Sequence, residues 1–172
     1  MRVHGSNYAL ASNAIHYLDL YAYLTGVPVS NLDGSMLEED RTGNRRSGYR
    51  EIVGTLRGCG SCGAPVSLTS YPGSHLPGTV QFVSELGHYI VDEGEKRLRY
   101  VASDTEWRWR EESFVSYEVS GMTPVYQNIL DRGACALTPY AEAAAMHRDL
   151  IEVYNRLFFG SHATADQACP IT

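Results

Sequence analysis

The fold class is decided by residues 79–91, whose sequence is TVQFVSELGHYIV. The apolar residues that share one parity in this stretch are Val80, Phe82, Leu86 and Ile90. That spacing is typical of a half-buried β-strand, because successive side chains of a strand point to opposite faces. A polar loop at 92–95 and a second β-rich run at 97–103 follow, and this order predicts a β-hairpin.

More strand-like runs flank the hairpin on both sides. Two precede it, at 49–56 and 64–71, and two follow it, at 106–110 and 113–119. Each is rich in β-branched or aromatic residues, and turn-forming residues separate most of them. Together with the hairpin they predict an antiparallel β meander.

Helical patterns lie at both ends of the chain. Residues 6–25 carry apolar side chains at three- and four-residue steps. The Thr-Pro pairs at 123–124 and 138–139 are helix-start signals, because proline fits the first helical turn. The second pair opens the longest helix, which ends near Gly160. The sequence therefore predicts an α+β fold, with an antiparallel β meander packed against a long C-terminal helix and with an N-terminal helix.

Two polar segments depart from this pattern. Residues 31–48 show no sustained periodicity and predict an extended loop or arm, a feature that often has a binding role. Residues 161–172 are mostly small and polar and predict a tail. We expect a single α+β domain over residues 1–172, because this length suits one domain and the chain has no internal repeat.

Charge and hydropathy exclude several functional classes. The net charge of −6 argues against general nucleic-acid binding, which relies on many phosphate contacts from lysine and arginine. Polar residues break every apolar stretch, so no membrane-spanning helix is expected. Residues 1–5 lack the apolar run of a signal peptide, so we expect synthesis in the cytoplasm. Four cysteines are too few and too unevenly spaced for a disulfide scaffold.

Cys59 and Cys62 form the sharpest local motif, a Cys-x-x-Cys pair among glycines. The turn between them can point both sulfurs at a zinc ion, with His75 and His88 as the nearest candidates for further ligands. An alternative is a cysteine-dependent hydrolase in which Cys59 or Cys62 is the nucleophile. His88 has the parity of the apolar residues around it and should face the interior as the base, with Asp92 or Asp104 to orient it. No cofactor other than such a zinc ion is predicted.

Residues 106–110 alternate strictly, with Trp107 and Trp109 on one parity and Arg108 and Arg110 on the other. A strand with this pattern has one aromatic and one cationic face. Tryptophan and arginine are over-represented in binding hot spots, so the strand is a candidate interface. Further candidate interface residues in the predicted arm are Arg41, Arg45 and Arg46.

These features favour interaction over catalysis. The chain shows no recognisable catalytic constellation, and it has 12 tyrosines and two tryptophans. We therefore predict a non-enzymatic building block of a larger assembly, for example a component of a virus particle released from the cell. The arm, the tail and the Trp/Arg strand would contact neighbouring protein subunits, including further copies in a homo-oligomer. The cysteine-dependent hydrolase and a zinc-stabilised binding module are the alternatives.

Overall fold

An eight-stranded sheet with helices on one of its faces forms the core of the computed structural model of this chain. The structure describes residues 1–6, 8–40, 48–73, 76–115, 119–135, 137–162 and 168–171. Its strands and α-helices are β1 (Arg2–Ser6), α1 (Leu10–Thr25), β2 (Val29–Asp40), β3 (Glu51–Gly60), β4 (Pro65–Tyr71), β5 (Thr79–Ser84), β6 (Gly87–Asp92), β7 (Arg97–Ala102), β8 (Arg110–Ser113), α2 (Thr123–Arg132) and α3 (Tyr140–Phe159). None of the helices in this part of the chain is long and apolar enough to span a membrane.

The strands lie side by side in the order β2-β3-β4-β1-β5-β6-β7-β8. Neighbouring strands run antiparallel, except that β1 and β4 run parallel. Strands β5 to β8 follow one another as a meander. The expected α+β fold, with an N-terminal helix and a long C-terminal helix packed on the sheet, is confirmed.

Helices α1 and α3 cover one side of the sheet, which we call the helix face. Strand side chains such as Leu56, Leu68 and Val80 are buried there in one cluster with residues of both helices. Burying such an aliphatic side chain contributes about 1.5–3 kcal/mol. The hydroxyl of Tyr154 in α3 donates a hydrogen bond to the carbonyl oxygen of Leu10 at 3.1 Å, which fixes the two helices against each other.

Helix α1 starts later than the sequence pattern predicts. The pattern places its start at Ser6, whereas the helix begins at Leu10, because the residues before it form the central strand β1. Ala9 precedes the helix with a left-handed φ of 55°, a conformation that costs a non-glycine residue about 1–2 kcal/mol. The helix ends at Gly26, whose φ of 73° lets its N–H bond back to the last turn.

The predicted arm at 31–48 is wrong for residues 31–40, which belong to strand β2. The pairing of β2 with β3 shifts twice, between Ser30 and Asp33 and again between Asp33 and Met36. Such irregularities interrupt the alternation of side chains between the two faces, so a search for periodicity misses the strand. Most of the remaining arm lies outside the described residues.

The described part of the predicted tail returns to the body of the protein. Cys169 and Ile171 pack against the core cluster. The backbone N–H of Arg50 donates a hydrogen bond to the carbonyl oxygen of Pro170 at 2.7 Å. Residues 163–167 and 172 lie outside the described residues, and a single domain over the whole chain stays a prediction.

Residues 79–91 form two strands rather than one. Strands β5 and β6 meet in a tight turn, in which the N–H of Leu86 bonds to Ser84 Oγ at 3.1 Å. Gly87 has to follow this turn, because a Cβ there would lie 2.5 Å from the carbonyl oxygen of Val101. The prediction of one continuous strand is therefore wrong, since Leu86 lies in the turn and is exposed.

The tight turn also reverses which residues face the helices. Tyr89 and Val91 in β6 pair with Phe82 and Val80, so odd-numbered residues of β6 share the helix face. His88 instead pairs with Val83 on the opposite side, which we call the open face. The expectation that His88 faces the interior is wrong for this reason.

The turn between β3 and β4 is held by Tyr21 of α1, which is fully buried. Its hydroxyl accepts a hydrogen bond from the Gly60 N–H at 2.9 Å and donates one to the Ala64 carbonyl oxygen at 2.5 Å. Cys62 Sγ lies 3.7 Å from the same hydroxyl. Gly60 has to be glycine, because a Cβ would lie 2.9 Å from the Tyr21 oxygen.

We expect Tyr21→Phe to lower the free energy of unfolding by about 1–3 kcal/mol, because the Gly60 N–H loses the shorter of its two hydrogen bonds and the Ala64 carbonyl oxygen loses its hydroxyl donor. Tyr23→Phe on the same helix is the matched control, since Tyr23 is 81% exposed and should change stability by less than about 0.5 kcal/mol. Urea unfolding followed by circular dichroism measures both. Equal stabilities of the two variants would contradict the role given to Tyr21.

We also expect Cys62 to react with iodoacetamide at a lower pH than Cys169. The Ala64 N–H and the neighbouring Tyr21 hydroxyl lower the pKa of the Cys62 thiol, whereas burial raises the pKa of the Cys169 thiol. Because the thiolate is the reactive form, the thiol with the lower pKa reaches half of its maximal alkylation rate at a lower pH. Peptide mass spectrometry across a pH series measures both midpoints, and Tyr21→Phe should move that of Cys62 upward. A midpoint for Cys62 at or above that of Cys169 would show the assignment to be wrong.

Candidate functional site

Helix α1 meets the second half of the sheet along a strip of polar and aromatic side chains. The hydroxyl of Tyr17 donates a hydrogen bond to Glu93 Oε2 at 2.8 Å. Glu93 lies in the turn between β6 and β7, so this bond ties the helix to the meander. Gly78 lies beside this carboxylate, and a Cβ there would lie 2.8 Å from Glu93 Oε2, so a larger residue would have to displace the Glu93 side chain.

An aromatic ladder extends along the helix face of the meander. Phe82, Tyr89 and Tyr100 occupy paired positions on β5, β6 and β7. Their rings stack nearly parallel, with centroids 4.8 Å and 5.8 Å apart. The Tyr100 hydroxyl donates to Glu112 Oε1 at 2.8 Å, so a carboxylate stands at the far end of the ladder. We call the Tyr17–Glu93 pair and this ladder together the ledge.

Two phenols beside the ledge are held in their protonated forms. Burial raises the pKa of the Tyr8 hydroxyl, and the carboxylates of Glu51 and Glu93 raise it further. Burial and the hydrogen bond to Glu93 likewise raise the pKa of Tyr17, whose ring packs edge to face on that of Tyr8 at 5.7 Å. The Tyr8 hydroxyl oxygen is buried and has no hydrogen-bond partner among the described residues. It is thus an unused donor rather than a base.

His16 is an exposed imidazole on the same helix, next to Tyr17 in sequence. Ser12 stands four residues earlier, so the two side chains share one side of α1. Histidine is the ordinary side chain for accepting a proton near neutral pH, a role that the protonated phenols cannot fill. His16, however, lies on the side of α1 opposite the residues that pack on the sheet, so it stands apart from the Tyr17–Glu93 bond.

The predicted cysteine–histidine pair is not brought together. Cys59 lies near the end of β3 and His88 lies on β6, with β4, β1 and β5 between them. Four spacings of about 4.8 Å put the two residues about 19 Å apart across the sheet. Asp104 lies in the exposed turn after β7. His88 contacts Trp109 edge to face, with ring centroids 5.4 Å apart.

The predicted zinc site finds no support either. In the part of the chain that the structure describes, no group of three or more His, Cys, Asp or Glu side chains could hold a metal ion. Cys62 Sγ lies beside Tyr21 on the helix face. The alternation of β3 directs Cys59 to the opposite side from Gly60, whose missing Cβ points at Tyr21. His75 lies outside the described residues.

The run at 58–63 matches the letters of the dinucleotide-binding pattern G-x-G-x-x-G. That pattern binds a pyrophosphate only when it follows a strand and opens a helix, whose N-terminus then faces the phosphates. Here the run closes β3 and leads through a tight turn into β4. Its glycines serve the hairpin and the packing of Tyr21, and they form no phosphate loop.

The predicted interface strand is shorter than expected. Glu106 and Trp107 both have left-handed φ values, 53° and 58°, so the alternation breaks before Trp109. Strand β8 begins at Arg110, and Arg108 forms an ion pair with Glu106 at 3.8 Å. The arm residues proposed as interface lie outside the described residues. These are Arg41, Arg45 and Arg46.

Sequence patterns did not single out the ledge. The ladder depends on the register of three strands, which places Phe82, Tyr89 and Tyr100 side by side although seven and eleven residues separate them in sequence. Nothing in the local sequence distinguishes His16 from other exposed residues of an amphipathic helix. The one usable signal was the high number of tyrosines.

The fold is similar to that of several solved structures, although no protein-family model and no curated protein matches the sequence. UDP-N-acetylglucosamine 3-dehydrogenase GnnA from Acidithiobacillus ferrooxidans matches with a TM-score of 0.63 and 10% identity, over 88% of this chain and 51% of that one. The super-repressor mutant of Gal80p from Saccharomyces cerevisiae has a TM-score of 0.59 and 14% identity, over 93% and 56%. A protein from Thermotoga maritima described as an oxidoreductase has a TM-score of 0.57 and 15% identity, over 87% and 49%.

These matches correct the functional predictions. The chain spans about half the length of the solved chains that it matches, and at such low identity the likeness shows a shared fold alone. Because that fold occurs in proteins described as a dehydrogenase and an oxidoreductase, the prediction of a non-enzymatic assembly subunit or virus-particle component is wrong. The same finding contradicts the cysteine-dependent hydrolase and the expectation of no cofactor other than zinc.

Proposed function

We propose that this chain forms the substrate-binding part of an NAD(P)-dependent oxidoreductase that oxidises a hydroxyl group of a sugar-like substrate. The observation that carries the proposal is the fold similarity to UDP-N-acetylglucosamine 3-dehydrogenase over 88% of this chain. The ledge supports it, because aromatic side chains and carboxylates together suit a ring that carries several hydroxyl groups.

The residues of this chain do not fit the dinucleotide itself. The described strands contain one parallel pair, and the run at 58–63 lies in a hairpin instead of opening a helix. We therefore assign NAD(P) to a part of the enzyme outside this chain, in keeping with the half-length match to the dehydrogenase. A nicotinamide cofactor supplies the hydride acceptor in reactions of this class.

The helical side of the chain offers a surface for such a further part. Helix α2 buries none of its residues, and Tyr126, Ile129 and Leu130 are exposed on it. Leu137 and Tyr140 are exposed just before and at the start of α3. Contiguous exposed apolar side chains of this kind are typical of a contact surface.

The ledge would bind and orient the substrate. The outer edges of the stacked rings would line one side of a sugar ring, while Glu93 and Glu112 accept hydrogen bonds from its hydroxyl groups.

Titration of the 172-residue chain with UDP-N-acetylglucosamine, followed by NMR, tests this proposal. We expect the largest amide shifts at Tyr17, Glu93 and the ladder residues, with weak binding because the chain holds one part of the site. Tyr89→Ala should weaken binding about 3- to 10-fold, since one stacking partner is lost. Tyr140→Ala is the matched control, because Tyr140 is 88% exposed and lies away from the ladder.

A second titration, with NADH, tests whether the nucleotide binds outside this chain. The chain alone should show no NADH-dependent shifts, because its residues form no phosphate loop. Saturable NADH binding would contradict the assignment of the nucleotide elsewhere. Absence of shifts with the sugar nucleotide at millimolar concentration, or shifts confined to the open face, would contradict the ledge as the substrate site.

A further inference from the structure

A broad groove, with a volume of about 1170 Å³, crosses the open face of the sheet over strands β3, β4, β1 and β5. Helices α1 and α3 pack on the helix face, so the groove and the ledge lie on opposite sides of the sheet. The polar side chains on the floor of the groove alternate along their strands with buried core residues. They belong to Arg2, His4, Thr55, Arg57, Ser67 and Thr69.

Two arginines stand in one row across the groove, with a serine between them. Arg57 on β3 pairs with Ser67 on β4, and Ser67 pairs in turn with Arg2 on β1. Two strand spacings of about 4.8 Å put the Cα atoms of the two arginines about 10 Å apart. Because paired residues of neighbouring strands project from the same face, the two arginine side chains stand on either side of the Ser67 hydroxyl.

Neither Arg2 nor Arg57 forms an ion pair with any residue that the structure describes. Arg99, farther along the same row, is paired with Glu111. Asp33 lies next to Arg57 in the register, but its carboxylate accepts a hydrogen bond at 2.9 Å from a backbone N–H of its own strand. In a chain with a net charge of −6, two guanidinium groups without carboxylate partners in one groove make it locally attractive to an anion.

Hydroxyl and imidazole groups form the rest of the floor. Thr55 and Thr69 occupy paired positions on β3 and β4, and their Oγ1 atoms lie 3.0 Å apart. Since this contact uses one of the two hydroxyl protons, the other stays available to donate a hydrogen bond. His4 pairs with Thr69 from β1 and adds a ring N–H. The floor can therefore donate several hydrogen bonds to the oxygens of a bound anion.

An apolar row borders the groove on the side of the meander. Val83, His88 and Val101 pair across β5, β6 and β7, and the ring of Trp109 packs edge to face on His88. Val83 is 70% exposed, and both it and His88 line the groove. A ligand in the groove therefore meets positive charge at one end and apolar surface at the other. This combination suits a small organic molecule that carries a terminal anionic group.

We propose that this groove binds a small phosphate monoester, with its phosphate between Arg57 and Arg2 and its apolar or aromatic part against Val83. Guanidinium groups bind phosphate oxygens in bidentate, charge-assisted contacts. A phosphate monoester carries nearly two negative charges at neutral pH, which matches the two arginines. Each phosphorus of an internal diphosphate carries one charge, so UDP-N-acetylglucosamine and NADH are poorer ligands for this groove. The inference does not depend on the proposed enzymatic function, because the ledge lies on the other face.

Titration of the 172-residue chain with phenyl phosphate, followed by NMR at constant ionic strength, tests the proposal. We expect saturable amide shifts at Arg2, Arg57, Ser67 and Val83, and no such shifts with phenol. Inorganic phosphate should shift the amides around the two arginines but bind more weakly, because it makes no contact with the apolar row. Shifts that fail to saturate overturn the proposal. Inorganic phosphate that binds as tightly as phenyl phosphate overturns the assignment of an organic ligand.

Arginine variants test the phosphate contacts. Arg2→Gln and Arg57→Gln should each weaken the binding of phenyl phosphate about 10-fold or more, because each removes a charge-assisted contact. Arg99→Gln is the matched control, since it removes the same charge from the same face at an arginine already paired with Glu111. Equal weakening by all three variants would mean attraction to the whole face and overturns the proposed site, as does unchanged binding by Arg57→Gln.

A carboxylate placed between the two arginines provides a second test. Ser67→Asp should abolish binding of phenyl phosphate, because the new carboxylate occupies the position of the phosphate and pairs with both guanidinium groups. Ser113→Asp adds the same charge on edge strand β8 and should leave binding unchanged. Circular dichroism confirms that both variants are folded. Binding that survives Ser67→Asp, or that Ser113→Asp abolishes equally, overturns the proposal.

Discussion

Strand β1 is the element on which the rest of the structure depends, because it joins the two halves of the sheet. It pairs in parallel with β4 on one side and antiparallel with β5 on the other, through residues Arg2 to Ser6. Without it, the sheet β2–β4 and the meander β5–β8 would share no hydrogen-bonded edge. The chain leads from β1 into α1 within a few residues, so the position of β1 also sets where His16 and Tyr17 stand relative to the meander.

The helices cover the first half of the sheet more fully than the second. Helix α1 contacts β2, β3 and β4, and α3 contacts β2, whereas the meander joins the core through Val80, Phe82 and Val91 and through the Tyr17–Glu93 hydrogen bond. Side chains on the meander therefore stay accessible on both faces. The helix face presents the aromatic ladder beside α1, and the open face presents the apolar row around Val83. This asymmetry leaves the candidate substrate surface accessible beside α1.

The sequence predicts the fold class well because amphipathic periodicity marks the long helices and most strands. The sequence-based prediction fails at the strands whose side-chain orientation depends on how they pair with their neighbours. Strand β2 has shifted pairing that breaks its alternation, and the tight turn before Gly87 reverses the parity on which the placement of His88 depended. The candidate site could not be predicted for the same reason. Its ladder exists only in the register of three strands, and the Cys-x-x-Cys motif, which drew attention by spacing alone, serves a hairpin packed on Tyr21.

The central position of β1 has a consequence for the order in which the chain can acquire structure. Both partner strands of β1 come much later in the sequence, and the hydrogen bond between Tyr154 and Leu10 joins residues 144 positions apart. Such non-local pairing slows folding, because loop-closure entropy is lost before the contacts form. During synthesis β1 therefore stays unpaired until β4 and β5 have left the ribosome. The apolar side of α1 stays uncovered until α3 has followed. For that interval the nascent chain exposes a strand and a helix face that chaperones recognise, so its yield in a cell depends on their protection as well as on final stability.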